Sequence, residues 1–163
     1  MTKGLDEGME NFRKLIETEK NIDLNTVAGA GAAGGLGGGL VAFLKAQLKP
    51  GIEMMLEAVN FEKQLQNTDF VITGEGKIDA QTVMGKAASG ILDATSKNNV
   101  PVIALGGSIE NVDNLNKRGF ASIFSVTPSP MSIEDAMHKN CAIKNIRETT
   151  EQIMRTIKTF KKE

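Results

Sequence analysis

Three short apolar runs in the second half of the chain, each followed by a helix-forming stretch, constrain the fold most. Phe70-Val71-Ile72-Thr73, Val100-Pro101-Val102-Ile103-Ala104-Leu105 and the run from Ala121 to Val126 have the length and apolar character of buried strands. Residues 83–97 read as a helix between the first two. A second helix, capped by Ser108 and reaching Arg118, separates the second from the third, and Gly119 with Phe120 behind it forms its C-terminal stop. Apolar strands alternating with amphipathic helices predict right-handed βαβ units and a parallel sheet covered on both faces. The expected class is α/β, in three layers with a small, mainly parallel sheet. Three strands make that sheet thin, with apolar edges left open.

The first part of the chain has a different pattern. Leu5, Met9, Phe12 and Ile16 recur at helical spacing, and residues 21–27 form a polar link into a glycine-rich stretch. Leu40, Leu44 and Leu48 mark a helix that stops before Pro50-Gly51, and Ile52, Met55, Leu56 and Val59 mark another. Asn60 is placed to cap a short turn ending near Leu65. The domain expectation is therefore a helical, glycine-rich segment over 1–68 and an α/β segment over 69–163. Beyond the third strand, Ser132-Ile133-Glu134-Asp135 starts a helix with a capping-box-like pattern, and Ile143, Ile146, Ile153, Ile157 and Phe160 stripe a long final one.

Composition removes several function classes. With 19 basic and 20 acidic residues the net charge is −1, and the two signs are interleaved, so no basic stripe for nucleic acid is expected. No run approaches the roughly 20 apolar residues of a membrane helix, and the N-terminus lacks a signal-peptide core. The single cysteine forbids an intrachain disulfide and fits a reducing cytoplasm. The core must come from Ile, Leu, Val, Met and Ala, because the chain has no Trp or Tyr.

Two stretches concentrate the chemistry. Gly29-Ala30-Gly31-Ala32-Ala33-Gly34-Gly35-Leu36-Gly37-Gly38-Gly39 contains G-x-G-x-x-G, but no buried strand precedes it and no acidic strand end follows. The dinucleotide-binding reading fails on that context, and no Lys-Ser/Thr pair closes it as a Walker loop. It is either a cradle of backbone N–H groups for an anion or a place where helices pack closely. The second stretch is Thr73-Gly74-Glu75-Gly76-Lys77-Ile78-Asp79-Ala80-Gln81-Thr82, read as a loop between strand and helix, where α/β proteins place ligands. It is either a site or a capped turn. Eight polar or glycine residues in ten favour a site, with Glu75 and Asp79 close enough to share a pocket and Lys77 able to reach a phosphoryl oxygen. Lys86 reads as a solvated helix residue, and His138 and Cys141, without partners in the sequence, read as structural.

These stretches, with Lys49-Pro50-Gly51-Ile52-Glu53 between them and Val100-Pro101-Val102-Ile103-Ala104-Leu105-Gly106-Gly107 after them, resemble in order and spacing the glycerate kinase family. That family phosphorylates D-glycerate with ATP. The resemblance implies a flavodoxin-like part built from 69–163 and, over 1–68, helices of a truncated middle domain. It implies ATP and Mg²⁺ as cofactors and D-glycerate as substrate. Asp79 is then expected to orient the hydroxyl or contact metal, Lys77 to stabilise the phosphoryl group, and Glu75 to contact metal or substrate. Gly29, Gly31, Gly34 and Gly35 would donate backbone N–H groups, Gly74 and Gly76 would let a ligand approach, and Gln81 and Thr82 would bind the polyol acid. Family members are more than twice as long and begin with a strand and a Lys- and Ser-containing loop that have no counterpart here. The expectation is a chain with little activity alone that self-associates or joins a separate N-terminal half. The alternatives are a non-catalytic module for a small anion or nucleotide, and an incomplete subunit.

Overall fold

In the computed structural model the strands form one parallel sheet in the order β1-β2-β3, with β1 at Val71–Ile78, β2 at Val102–Ile109 and β3 at Ser122–Ser125. The structure describes residues 2–79 and 87–161. Within it the chain divides into two compact units, Met1–Gly51 and Ile52–Glu163, where the sequence expectation drew its division at 68/69.

The second unit holds the sheet. Side chains alternate along β2: Val102 and Ala104 join Ala88 and Leu92 of α5 (Ala87–Ser96), Leu115 of α6 (Val112–Arg118) and Phe120 in one cluster. Ile103 and Leu105 face the other way and pack with Phe70, Ile72, Ile153 and Ile157, the last two from α8 (Lys139–Phe160). The expected three layers are therefore α5 and α6, the sheet, and α8. Two shorter helices, α3 (Gly51–Ala58) and α4 (Phe61–Gln64), precede the sheet, and Asn60 at the start of α4 makes no side-chain cap bond. Gly119 ends α6 with φ 123, and the Phe120 N–H donates to the Leu115 carbonyl. The Ser132 hydroxyl accepts from the Asp135 N–H at 3.0 Å and starts α7 (Ile133–Met137).

Two sequence expectations need correction. The strand assigned to 70–73 does not give way to a loop at Gly74; it continues through Glu75 and Lys77 to Ile78, which is fully buried. Likewise Gly106, Gly107 and Ser108 belong to β2 rather than to a loop, and Ser108 is not the cap of α6, which begins after Asn111, whose left-handed backbone (φ 57) turns the chain. The cause is mutual. Glycine weakens an isolated strand, but here two glycine-bearing stretches lie side by side and each supplies the other's main-chain partners. The register pairs Glu75 with Gly106 and then Lys77 with Ser108, stepping over Gly76 and Gly107. Val71 and Ile78 reach the same cluster although they are seven positions apart, an odd step that regular alternation would put on opposite faces, so the pleat shifts once along β1.

The first unit is α1 (Thr2–Lys20), a 3₁₀ turn at Leu24–Thr26 and α2 (Ala32–Leu44). The Asp23 carboxylate caps the turn by accepting from the Asn25 N–H at 2.9 Å. Phe12 and Ile16 of α1 pack with Leu24, Ala30 and Ala42, whereas Leu5 stays exposed. The helix predicted to run to Leu48 ends at Leu44, where Lys45 takes a left-handed conformation (φ 53). The stripe predicted on the final helix also divides: Ile153 is buried, while Ile143, Ile146 and Phe160 are exposed, as are Ile133 and Met137 of α7.

Candidate functional site

The carboxyl ends of β1 and β2 bring three charged side chains together. Lys77 and Asp79 come from the end of β1, and Glu110 follows β2. The Glu110 N–H donates to the Ile78 carbonyl at 2.9 Å, extending the ladder by one bond and fixing where the Glu110 side chain starts. The Lys77 ammonium lies 3.0 Å from a Glu110 carboxylate oxygen and 3.6 Å from one of Asp79. Hydrogen bonding and charge from Glu110, then from Asp79, hold the lysine in its charged form beyond its ordinary range. The Asp79 side chain is only 15% exposed, against 57% for Glu110. Glu110 was not among the residues singled out in the sequence; the signal it offered was its place directly after an apolar run and a Gly-Gly-Ser stretch.

Glu75 does something else. Its carboxylate accepts from the Ala88 N–H at 3.2 Å, at the first turn of α5, where the helix dipole favours negative charge. The structure thus gives Glu75 a capping bond beside its expected metal or substrate role. Gln81 and Thr82, expected to bind the polyol acid, and Lys86 lie outside the described residues.

The first unit carries the other predicted set. Ala33, Gly34 and Gly35 all have positive φ (52, 66 and 87), so a left-handed turn precedes the regular part of α2. Several N–H groups of the stretch are already engaged within it: Ala32 donates to the Gly29 carbonyl, Gly35 to Gly31 and Gly38 to Ala30. Of the four predicted anion donors, Gly35 therefore already has an acceptor. Between this turn and α1 lies a cavity of about 250 Å³ whose lining includes Met9, Phe12, Arg13, Leu24, Gly31 and Gly35. Arg13 does not face it as a free cation. Its guanidinium binds both oxygens of Glu10 and, at 2.8 Å, Glu17.

The packing alternative for the glycine stretch can be judged residue by residue. A Cβ on Gly37 would run into the Gly29 carbonyl, and one on Gly38 would sit 2.9 Å from Leu24. These two glycines serve close packing. Gly31 and Gly76 are different: among the described residues a Cβ there meets nothing within 4 Å, and neither has a positive φ. Neither clash nor backbone conformation demands glycine at these two positions, and both leave the main chain open to approach.

Among the described residues no group of three or more His, Cys, Asp or Glu side chains is arranged to hold a metal ion, and no helix is long and apolar enough to cross a membrane. Cys141 is a free thiol that, with Met131, faces the buried Asn145 side-chain amide at 3.7 and 3.9 Å.

Comparison with known proteins finds relatives along almost the whole chain. The profile described as the glycerate kinase family matches residues 1–158. A glycerate kinase of Halalkalibacterium halodurans is 46% identical over 136 residues, which cover 83% of this chain and 36% of that protein. One from Bacillus subtilis is 40% identical over 158 residues, covering 96% of this chain and 41% of its own length. A chain described as glycerate kinase 2 in a Salmonella typhimurium LT2 crystal structure superposes with a TM-score of 0.67 at 39% identity, over 92% of this chain and 38% of that one. The chain therefore spans between 36% and 41% of the length of these relatives and matches their C-terminal part.

Proposed function

We propose, from the premise that the chain belongs to the glycerate kinase family, that its second unit carries part of a site for phosphoryl transfer from ATP to D-glycerate, giving phosphoglycerate and ADP. The observation that carries the reading is the pairing of Lys77 with Asp79 at the carboxyl end of β1, within a chain that matches the family almost throughout. Phosphoryl transfer asks a protein mainly for positioning and for charge placed where negative charge develops. Asp79, mostly shielded and beside an ammonium, orients the acceptor hydroxyl by accepting its hydrogen bond. Lys77 offers its ammonium to the transferred group's oxygens. Gly76 leaves the strand open on a path to both, and Gly31 does the same for an anion approaching the loop of the first unit. Gln81 and Thr82 are proposed as hydrogen-bonding partners of the glycerate hydroxyls and carboxylate.

The donor set suits Mg²⁺ in the way nucleotide sites usually hold it, through one or two carboxylates with the remaining positions filled by phosphate oxygens and water. Asp79 is the first candidate ligand; Glu75, four residues earlier along the extended strand and bonded to the Ala88 N–H, lies about 13 Å away by strand rise and is the weaker candidate. Bound there, the ion would neutralise phosphate charge; what the chain itself does is hold Asp79 and Lys77 in reach of one another.

The coverage of the relatives supports a second part of the proposal. Catalysis by these residues requires the remainder of the family fold, which brings nucleotide and acceptor together. The exposed apolar residues of α7 and α8 support self-association of the 163-residue chain when that remainder is absent. The single cysteine favours a reducing cytoplasm. Coupled ADP release, with and without D-glycerate, tests the proposal on the chain alone and mixed with the N-terminal remainder of the Halalkalibacterium halodurans relative. Glycerate-dependent ADP formation only in the mixture is expected. ATP binding without turnover in any combination favours the non-catalytic module.

A further inference from the structure

We propose that Glu110 is a positioning residue that parks Lys77 by standing in for a phosphate, and that an incoming polyphosphate displaces it. The inference rests on the assignment of Lys77 to phosphoryl binding and goes beyond it, because it assigns a role to the residue on the neighbouring strand. Three observations carry it. The Glu110 main chain is fixed by its bond to the Ile78 carbonyl and by the left-handed turn at Asn111, so its carboxylate is presented to β1 rather than swinging on a loose loop. Lys77 lies nearer to Glu110 than to Asp79, at 3.0 against 3.6 Å. The two carboxylates also differ in access: Asp79 is largely shielded, while Glu110 is more than half exposed and free to move into water.

A lysine flanked by two carboxylates sits in a locally negative field, and a polyphosphate reaching it must either repel Glu110 or replace it. Replacement costs little, since an exposed ion pair of this kind is weak. Glu110 therefore keeps the ammonium extended toward the strand ends in the unliganded protein and competes with the ligand for it. Removing its charge must tighten polyphosphate binding, an effect that no loss of structure produces.

Calorimetric titration with inorganic tripolyphosphate at low ionic strength tests this on four forms of the 163-residue chain: unaltered, Lys77→Met, Glu110→Gln and the double variant. The unaltered chain is expected to bind, Lys77→Met to lose most of that binding, and Glu110→Gln to bind about two- to fivefold more tightly, the factor that one exposed charge pair carries. In the Lys77→Met background the Glu110→Gln gain disappears, since the two side chains act on the ligand as a coupled pair. Binding that depends on Lys77 but is unchanged or weakened by Glu110→Gln overturns the parking role alone. Binding that ignores Lys77, or no binding by any form, overturns the phosphate assignment of Lys77 and this inference with it.

Discussion

Two glycine-rich regions of this molecule read alike as sequence and fold for opposite reasons. In the first unit, residues 29–39 leave extended geometry altogether: a left-handed turn at Ala33, Gly34 and Gly35 feeds α2, and Gly37 and Gly38 then bring that helix against the Gly29 and Ala30 carbonyls and the Leu24 side chain. In the second unit, Gly74, Gly76, Gly106 and Gly107 stay within paired strands, where a Cβ on Gly107 would sit 2.7 Å from the Gly76 carbonyl. One region uses glycine to turn a helix entrance, the other to let two strands run close. Glycine enrichment alone therefore does not distinguish loop from strand; what decides is whether a second chain segment is present to pair with. Gly31, Gly39 and Gly76 are the glycines of the two regions that neither a close contact nor a positive φ explains; Gly31 and Gly76, ahead of the regular part of α2 and near the end of β1, are the two proposed above to face ligands.

The largest effect that can break this division is at Gly37. Gly37→Ala drives a methyl into a backbone carbonyl that cannot rotate away, and is expected to destabilise the first unit by about 2–3 kcal/mol. Gly31→Ala, by contrast, is expected to change stability by less than about 0.5 kcal/mol. Denaturant unfolding of both variants decides: equal losses would mean that Gly31 is structural too, and would remove it from the candidate site.

A smaller effect sharpens the account of the second unit. Glu75→Gln removes the charge that caps α5 and is expected to cost about 0.5–1 kcal/mol. A melt unchanged from that of the unaltered chain would return Glu75 to a purely ligand-facing role.

Much of the second unit was legible because its physics is local and periodic. The apolar strands, the Gly119 stop and the Ser132 cap each carry their signal within a few residues. The extension of β1 to Ile78 and of β2 to Ile109 was not legible, because the information lies in the partnership between two stretches separated in sequence, neither of which is a good strand former alone. Glu110 was missed for the same reason: its relation to Lys77 exists only across the sheet. The exposed faces of α7 and α8 look like core in the sequence, and their stripe of apolar residues is as regular as that of a covered helix. Ile153 and Ile157 meet the sheet, whereas Ile143 and Ile146 do not.

The smallest effect concerns the cavity wall in the first unit. Hydrogen bonds from Arg13 hold the Glu10 carboxyl down from its usual 4.5 to about 2. Because the folded value is the lower one, the stabilisation that this pair gives α1 is present above pH 4.5 and is lost as the pH falls toward 2. A carboxyl-carbon titration followed by NMR should find the Glu10 midpoint near 2, and Arg13→Met should return it toward 4.5. A midpoint already near 4.5 in the unaltered chain would mean that Arg13 is available to a ligand in the cavity.

The most direct test of the central claim, that the carboxyl end of β1 does chemistry rather than merely ending a strand, is Asp79→Asn in whichever assembly is active. Turnover of ATP with D-glycerate, normalised to folded protein by a parallel thermal melt, is expected to fall by about two orders of magnitude or more with the melting temperature nearly unchanged. A variant that loses melting temperature while keeping its activity per folded molecule would contradict the account and leave Asp79 as a structural residue at the end of the strand.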